Sequence, residues 1–231
     1  MARTILQIAQ DAAPRLGLAS PDALFGSTDR TSIELRAVVN EVAERIADAH
    51  DWEVLTEEET NTGDGTTEGF DLPSNYVRMP KDAQVWSTRW QRPMLQISSD
   101  DWLRLDIRQY DLVIGTYIIR GGQIRFRPVL ASGELAKWNY VSNLQVSPST
   151  GNNKERFTDD TDTFRLDDRV LETTLIWEWR HRKGLPYAED MKTAEIALAR
   201  AISDDKGARI VTQSSRRNVR AKIAYPWQIQ P

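Results

Sequence analysis

Leu35, Val38, Val39, Val42 and Ile46 fall on one side of a helical wheel, with Arg36, Glu41, Glu44 and Asp48 on the other. Each residue of an α-helix turns by about 100°, so this spacing makes one apolar stripe that must pack against another element. Thr31 and Glu34 have the spacing of a capping box opening this helix. Thr4 and Gln7 have it again before Ile8, Ala9 and Ala12, predicting a short first helix that Pro14 kinks or ends. Gly17 to Asp29 joins the two and is rich in turn residues. Near the other end, Asp167 caps a third predicted helix, and Gly184 followed by Pro186 supplies a stop and a restart. Tyr187, Met191, Ala194, Leu198, Ala201 and Ile202 then form one stripe on a last helix ending near Lys206-Gly207.

Between Trp52 and Val146 the period shortens to that of strands and turns. Tyr117 to Arg120, Gly121-Gly122 and Gln123 to Arg127 spell a hairpin, because glycine tolerates the positive φ of a two-residue turn; Ile124 and Phe126 then share a face. A further strand is expected at Asn139 to Ser142 with Trp138, and a turn around Arg89-Trp90-Gln91 between Gln84–Trp86 and Arg92–Leu95. Ser98-Ser99-Asp100-Asp101 caps a brief helix carrying Trp102, Leu103 and Leu105. Ser147 to Lys154 is loop-like in composition and is expected to be mobile.

These elements predict an α+β chain: a helical bundle formed by N-terminal and C-terminal helix pairs, with an inserted antiparallel β subdomain and an extended C-terminal arm. The expected boundaries are 1–51 for the first helical pair, 52–146 for the β subdomain, 147–166 for a loop, 167–206 for the closing hairpin and 207–231 for the arm.

At 231 residues and 40% hydrophobic content, the chain is large enough to bury a real core. It has no cysteine, which rules out disulfides and thiolate metal sites and suits a reducing cytoplasm. The N-terminus lacks the continuous apolar segment of a secretion signal, so export is not indicated. Leu112 to Ile119, the most apolar run, falls far short of the roughly 20 residues a membrane-spanning helix needs. Charge is uneven. Residues 207–231 carry five basic residues and no acidic one, so removing those five charges from the net −4 leaves −9 for residues 1–206. An acidic body is a poor grip for phosphates, which need clustered Lys and Arg.

Candidate chemistry is sparse. His50 and His181, the two histidines, sit at helix C-terminal turns, where histidine interacts with terminal carbonyls and the helix dipole; the rival reading is a metal pair. Asp159-Asp160-Thr161-Asp162-Thr163 contains part of an oxygen-ligand cation loop but lacks the glycine and distal glutamate of an EF-hand, and reads as a solvated acidic loop before a capped helix. Gly63-Asp64-Gly65-Thr66-Thr67-Glu68-Gly69 lacks the Lys-Ser/Thr pair of a phosphate loop. Glu57-Glu58-Glu59 are adjacent acids that alternate in direction along a strand and have no nucleophile to serve. Trp177, Trp179 and Tyr187 fit a core or a subunit interface better than a ligand box. The tail, with Arg216, Arg217, Arg220, Lys222, Tyr225 and Trp227, admits three readings: nucleic-acid binding by stacking and phosphate pairing, a loose terminus, or an arm that docks on another protein.

Several segments occur in a familiar order. Phe25-Gly26-Ser27-Thr28-Asp29 precedes the long helix and His50-Asp51-Trp52 follows it; Leu72-Pro73-Ser74-Asn75-Tyr76-Val77-Arg78 leads into the β region. Arg120 to Pro128, Trp138-Asn139-Tyr140-Val141-Ser142 and the closing stretch Asp159 to Asp190 come next. In this order, from about Thr4 to Gly207, they resemble head-to-tail adaptor (connector, head-completion) proteins of short-tailed bacteriophages and related prophages. The resemblance implies a structural virion protein with no cofactor and no enzymatic activity. It implies a homo-oligomeric ring of twelve copies beneath the portal protein, assembled in the host cytoplasm, with tail or nozzle proteins as further partners. Genomic DNA passes through such a ring without specific binding, and no membrane is involved. It also favours the docking reading of the tail, with Arg216, Arg217, Arg220, Lys222, Tyr225 and Trp227 as the portal-binding residues.

Overall fold

The computed structural model describes residues 3–107 and 114–205. Helix α1 spans Ile5–Leu16 and opens on the expected capping box, Thr4 Oγ1 accepting from Gln7 N–H while Gln7 Oε1 accepts from Thr4 N–H. Pro14 does not end it at that point; the missing N–H falls in the last turn, and the helix runs on to Leu16 until Gly17, at φ 71°, turns its N–H back to Ala13 and Pro14. Helix α2 spans Arg30–Asp48. Its cap differs from the expected Thr31–Glu34 box: Asp29 accepts from the N–H groups of Thr31 and Ser32. Asp29 sits one residue before the helix with a short carboxylate, whereas Thr31 lies inside the first turn. The whole predicted stripe, Leu35 to Ile46, is buried.

A single turn at Glu53–Leu55 leads to the strands. β1 (Thr56–Thr62) runs antiparallel to β9 (Leu135–Ser142), which is longer than the stretch expected from Trp138 to Ser142. The far edge of β9 takes β3 (Tyr76–Arg78) and β4 (Trp86–Ser87), and β4 pairs with β5 (Arg92–Pro93). A second sheet orders β2 (Gly69–Asp71), β8 (Gln123–Arg127), β7 (Thr116–Arg120) and β6 (Leu95–Gln96). The β7–β8 hairpin turns at Gly121 and Gly122, both at positive φ, as expected. The β region is not wholly antiparallel, since β6 pairs with β7 in parallel; α3 (Ser99–Ile107) lies in the crossover between them.

β10 (Val146–Ser147) pairs with β11 (Thr163–Phe164), and Val146 also exchanges two hydrogen bonds with Lys154, tying down both ends of the segment between them. Helix α4 (Asp168–Arg182) is capped by Asp167 as expected, and α5 (Ala188–Asp205) follows after Gly184, at φ 68°, and Pro186.

Two cores result. One collects α1, α2 and α4 with Leu55, Val141, Val146, Phe157 and Phe164. The other lies among the strands, with Trp138, Tyr140, Tyr117, Ile124 and Phe126. Strand β9 serves both: Ala136, Trp138 and Tyr140 point into the strand core and Val141 into the helical one. Helix α5 departs from its predicted stripe. Ala194 alone is buried, Leu198, Ala201 and Ile202 are partly covered, and Met191 is 37% exposed. It packs on α4 at the edge of the core, so part of its apolar face stays open.

The first residues are sealed against the second half of the chain. Ile5 N–H donates to Asp162 O at 2.8 Å, and Thr4 bridges Thr163. Arg3 reaches Asp11 and Glu172 at 2.6 and 2.8 Å.

Candidate functional site

The sequence-flagged aromatic trio on the closing hairpin separates into two environments. Trp179 lies in the helical core, 3% exposed. Trp177 and Tyr187 are half-buried at the rim, their rings 6.4 Å apart, with His181 edge-on to Tyr187 at 4.8 Å. Arg180 closes the turn by pairing with Asp190 at 2.7 Å and donating to Arg15 O at 2.8 Å.

Charged side chains stitch α2 to α4 along the same edge. Glu178 accepts from Arg45 at 2.7 Å and Arg182 at 3.0 Å, Arg182 also pairs with Glu41, and Lys183 pairs with Glu34. Burial works against the charge on Glu178, but the two guanidinium bonds outweigh it and hold its carboxyl below the usual range. The bond from Lys183, seconded by Arg30, lowers Glu34 likewise. The guanidinium of Arg45 lies 5.5 Å from the Trp177 ring centre. The sequence reading missed this network; the i,i+4 pairs Glu41–Arg45 and Glu178–Arg182 were its visible signal. An apolar cleft of about 120 Å³ opens beside it, lined by Ile46, Thr174, Trp177, Met191 and Leu198.

His50 lies beyond the end of α2. It does not cap carbonyls with its ring as expected; its Nε2 is 3.3 Å from the Asp205 carboxylate, and its ring meets Trp52 edge-on at 5.2 Å. The same Asp205 oxygen accepts from Glu53 N–H at 3.3 Å. The last described turn of α5 is therefore clasped to the junction between α2 and β1.

The acidic stretch 159–163 is only partly a solvated loop: Asp159 and Thr161 are exposed, Asp159 accepting from Thr161 N–H and hydroxyl, but the other two aspartates turn inward. Asp162, with its side chain 1% exposed, accepts from Lys154 Nζ at 2.7 Å and from the N–H groups of Thr158 and Asp159. Asp160 accepts from Leu24 and Phe25 N–H at 2.9 and 2.7 Å. Asp160 thus ties this segment to the distant 24–25 loop, while Asp162 folds the segment 154–162 on itself. Among the described residues, no group of three or more His, Cys, Asp and Glu is arranged to hold a metal.

The remaining candidates are also structural. Asp64 closes its glycine-rich turn by accepting from Thr66 N–H and from Thr67 N–H and hydroxyl, and these bonds depress its carboxyl strongly. Gly63 passes so close to Leu130 and Ala131 that a side chain would collide with both. Of the three adjacent glutamates, Glu57 accepts from Tyr140 and Asn75, both at 2.9 Å, while Glu58 pairs with Lys137 across β1 and β9. Burial first, and then the bond to Glu57, push the Tyr140 hydroxyl up to about 12. The arm residues Arg216, Arg217, Arg220, Lys222, Tyr225 and Trp227 lie outside the described residues.

What this edge of the described surface offers is therefore apolar and ionic contact area, with Glu178, Glu34, Asp162 and Asp160 engaged in bonds that hold elements together. The sequence matches the family described as SU10 adaptor protein over residues 3–223. The chain belongs to this family of phage head-to-tail adaptors. No curated protein matches it. As an SU10-type adaptor it is a structural component of a virion, and membership implies association with portal and tail proteins and favours a non-enzymatic role. No helix among the described residues is long and apolar enough to cross a membrane.

Proposed function

We propose that this adaptor forms a ring of twelve copies beneath the portal, continues the DNA channel and gives tail or nozzle proteins their platform. The family match through residue 223 carries the reading, because it spans the body and most of the arm. The apolar side chains left open on α5, Met191 37% exposed on the flank toward α2 and Ile196 62% exposed on the flank toward the start of α4, support it. A closed ring needs head-to-tail contact between different faces of identical subunits, and an uncovered helix edge is suited to supply one such face. In this reading the helical pairs 1–51 and 167–206 act as one wall-building body and 52–146 projects from it.

The net −9 over residues 1–206 suits a channel wall that repels DNA phosphates, so that the genome slides without sticking. A ring with a basic lumen would remove that idea. The arm, through Arg216, Arg217, Arg220, Lys222, Tyr225 and Trp227, serves as the portal contact. Mass measurement of the protein alone and mixed with portal is the direct test: a free monomer that enters a large ring is expected, and a mixture that stays monomeric would sink the proposal. Deleting 214–231 is expected to leave the body folded and abolish co-sedimentation with portal. Salt-dependent DNA affinity lost on the same deletion would instead make the tail a nucleic-acid binder.

A further inference from the structure

We infer that, before assembly, the arm 207–231 docks on its own subunit, along the acidic outer ridge of α2 and into the apolar cleft between α2, α4 and α5. This rests on reading the arm as a segment that docks on protein, but it concerns the free subunit and requires no portal.

Two adjoining surfaces form the proposed berth. The ridge carries Glu41, Glu44 and Asp48 on successive turns of α2, their side chains 49%, 57% and 63% exposed. Glu41 is already shared by Arg45 and Arg182, but among the described residues Glu44 and Asp48 have long ion partners alone, Arg156 at 3.7 Å and Arg78 at 3.4 Å, so each keeps oxygen capacity for another guanidinium. Arg45, the cation between them, is already occupied by Glu41 and Glu178. Beside the ridge lies the cleft of about 120 Å³ walled by Trp177, Met191 and Leu198, with Glu195 on its rim. An occupant of this berth needs cations and an apolar ring on one short segment.

The arm has that chemistry. Residues 207–231 carry five basic residues and no acidic one, with Tyr225 and Trp227 following the basic cluster. Its starting point is also fixed. Asp205 is clasped by His50 Nε2 and Glu53 N–H, so the chain leaves α5 beside the C-terminal end of α2, where the ridge ends. From Glu41 to Asp48 the helix rises about 10 Å, while the ten residues 206–215 can extend over at most about 36 Å. The basic cluster can therefore lie on the ridge of its own subunit and place Tyr225 or Trp227 in the cleft. Self-docking would cover part of the open α5 face in the free protein, and assembly would then require a partner to displace the arm.

The absence of cysteine allows a clean test on the full chain. In Glu195→Cys/Gln228→Cys, mild oxidation of the free protein is expected to give mostly an intrachain disulfide, seen as a monomer of altered gel mobility. Interchain dimers would assign the arm to a second copy, and persistent free thiols would leave the cleft without it; either result overturns self-docking. Trypsin supplies an independent readout, cutting after Arg216, Arg217 and Arg220. With Glu44→Lys/Asp48→Lys the arm should be cut about tenfold faster at low salt, and about 0.5 M salt should bring the wild type close to the variant. Equal rates at low salt would overturn the role of the ridge. Because portal appears in neither assay, a negative result here leaves the portal-docking reading to be judged by the deletion.

Discussion

The helical core is mostly small and branched aliphatic residues, Ala9, Ala12, Ala43 and Ala47 among Ile, Leu and Val, with Trp52, Phe157, Phe164 and Trp179 scattered through it, whereas Trp138, Tyr140, Tyr117 and Phe126 make up nearly half of the smaller strand core. The difference follows from the elements. Alanines let α1 and α2 approach their neighbours closely, and long helices supply many contacts of modest size. Strands of two to eight residues supply few positions, so each inward side chain must be large, and polar atoms on the rings are met by specific partners. Trp138 Nε1 donates to Asn61 at 2.8 Å, and Tyr140 donates to Glu57. One core spreads its stability over many residues; the other concentrates it in a few.

That contrast can be broken by truncation. Trp138→Ala should cost about 3–5 kcal/mol and Leu171→Ala, in the helical core, about 2–4 kcal/mol, read by urea unfolding. Because β9 feeds both cores, each variant should lose strand and helix signals in one transition. Two separate transitions would show that the cores unfold independently. Asp162→Ala, which strips an acceptor from Lys154 and two backbone N–H groups, should cost about 2 kcal/mol although it touches no apolar side chain. A loss below about 0.5 kcal/mol would return that stretch to the status of a surface loop.

Glu178→Gln should cost about 1–2 kcal/mol at neutral pH, since Arg45 and Arg182 donate to different oxygens of Glu178 and an amide keeps only one acceptor, leaving the other guanidinium facing an NH2 group. The folded-state pKa of Glu178 is depressed, so its contribution is full above the unfolded value of about 4.3 and disappears as pH falls through the lower folded value. The gap between wild type and variant should therefore close below about pH 4; a constant gap across that window would refute the assignment. Asp29→Ala, the loss of one cap, is the smallest effect, about 1 kcal/mol in the same unfolding assay.

Legibility in the sequence follows what local pattern encodes. The α2 stripe, the α1 capping box and the Gly121-Gly122 turn are fixed by residues a few positions apart, and each appears as expected. The α2 cap was misplaced because Thr31 and Glu34 satisfy the same spacing, while the carboxylate that reaches the free N–H groups sits earlier, at Asp29. On α5 the pattern marks which face is apolar but not how much of it a neighbour covers. The parallel pairing of two-residue β6 leaves too short a signal to read. The misreading of 159–163 has the same root: the roles of Asp160 and Asp162 depend on Leu24, Phe25 and Lys154, brought near only by the fold. For the candidate surfaces, the residue types of the closing hairpin were visible, but the division between Trp179 in the core and Trp177 at the rim was not, since both lie in one aromatic cluster of sequence.

The seal between Thr4–Ile5 and Asp162–Thr163 sets an order of events during synthesis. Helices α1 and α2 leave the ribosome first, yet the surface that buries them is α4, which follows more than a hundred residues later. The nascent N-terminal half must wait with its apolar stripes unpaired, a period in which chaperones have access to it. Native helical packing is thereby reserved for chains translated through α4, and a polypeptide interrupted earlier lacks the buried partner it needs.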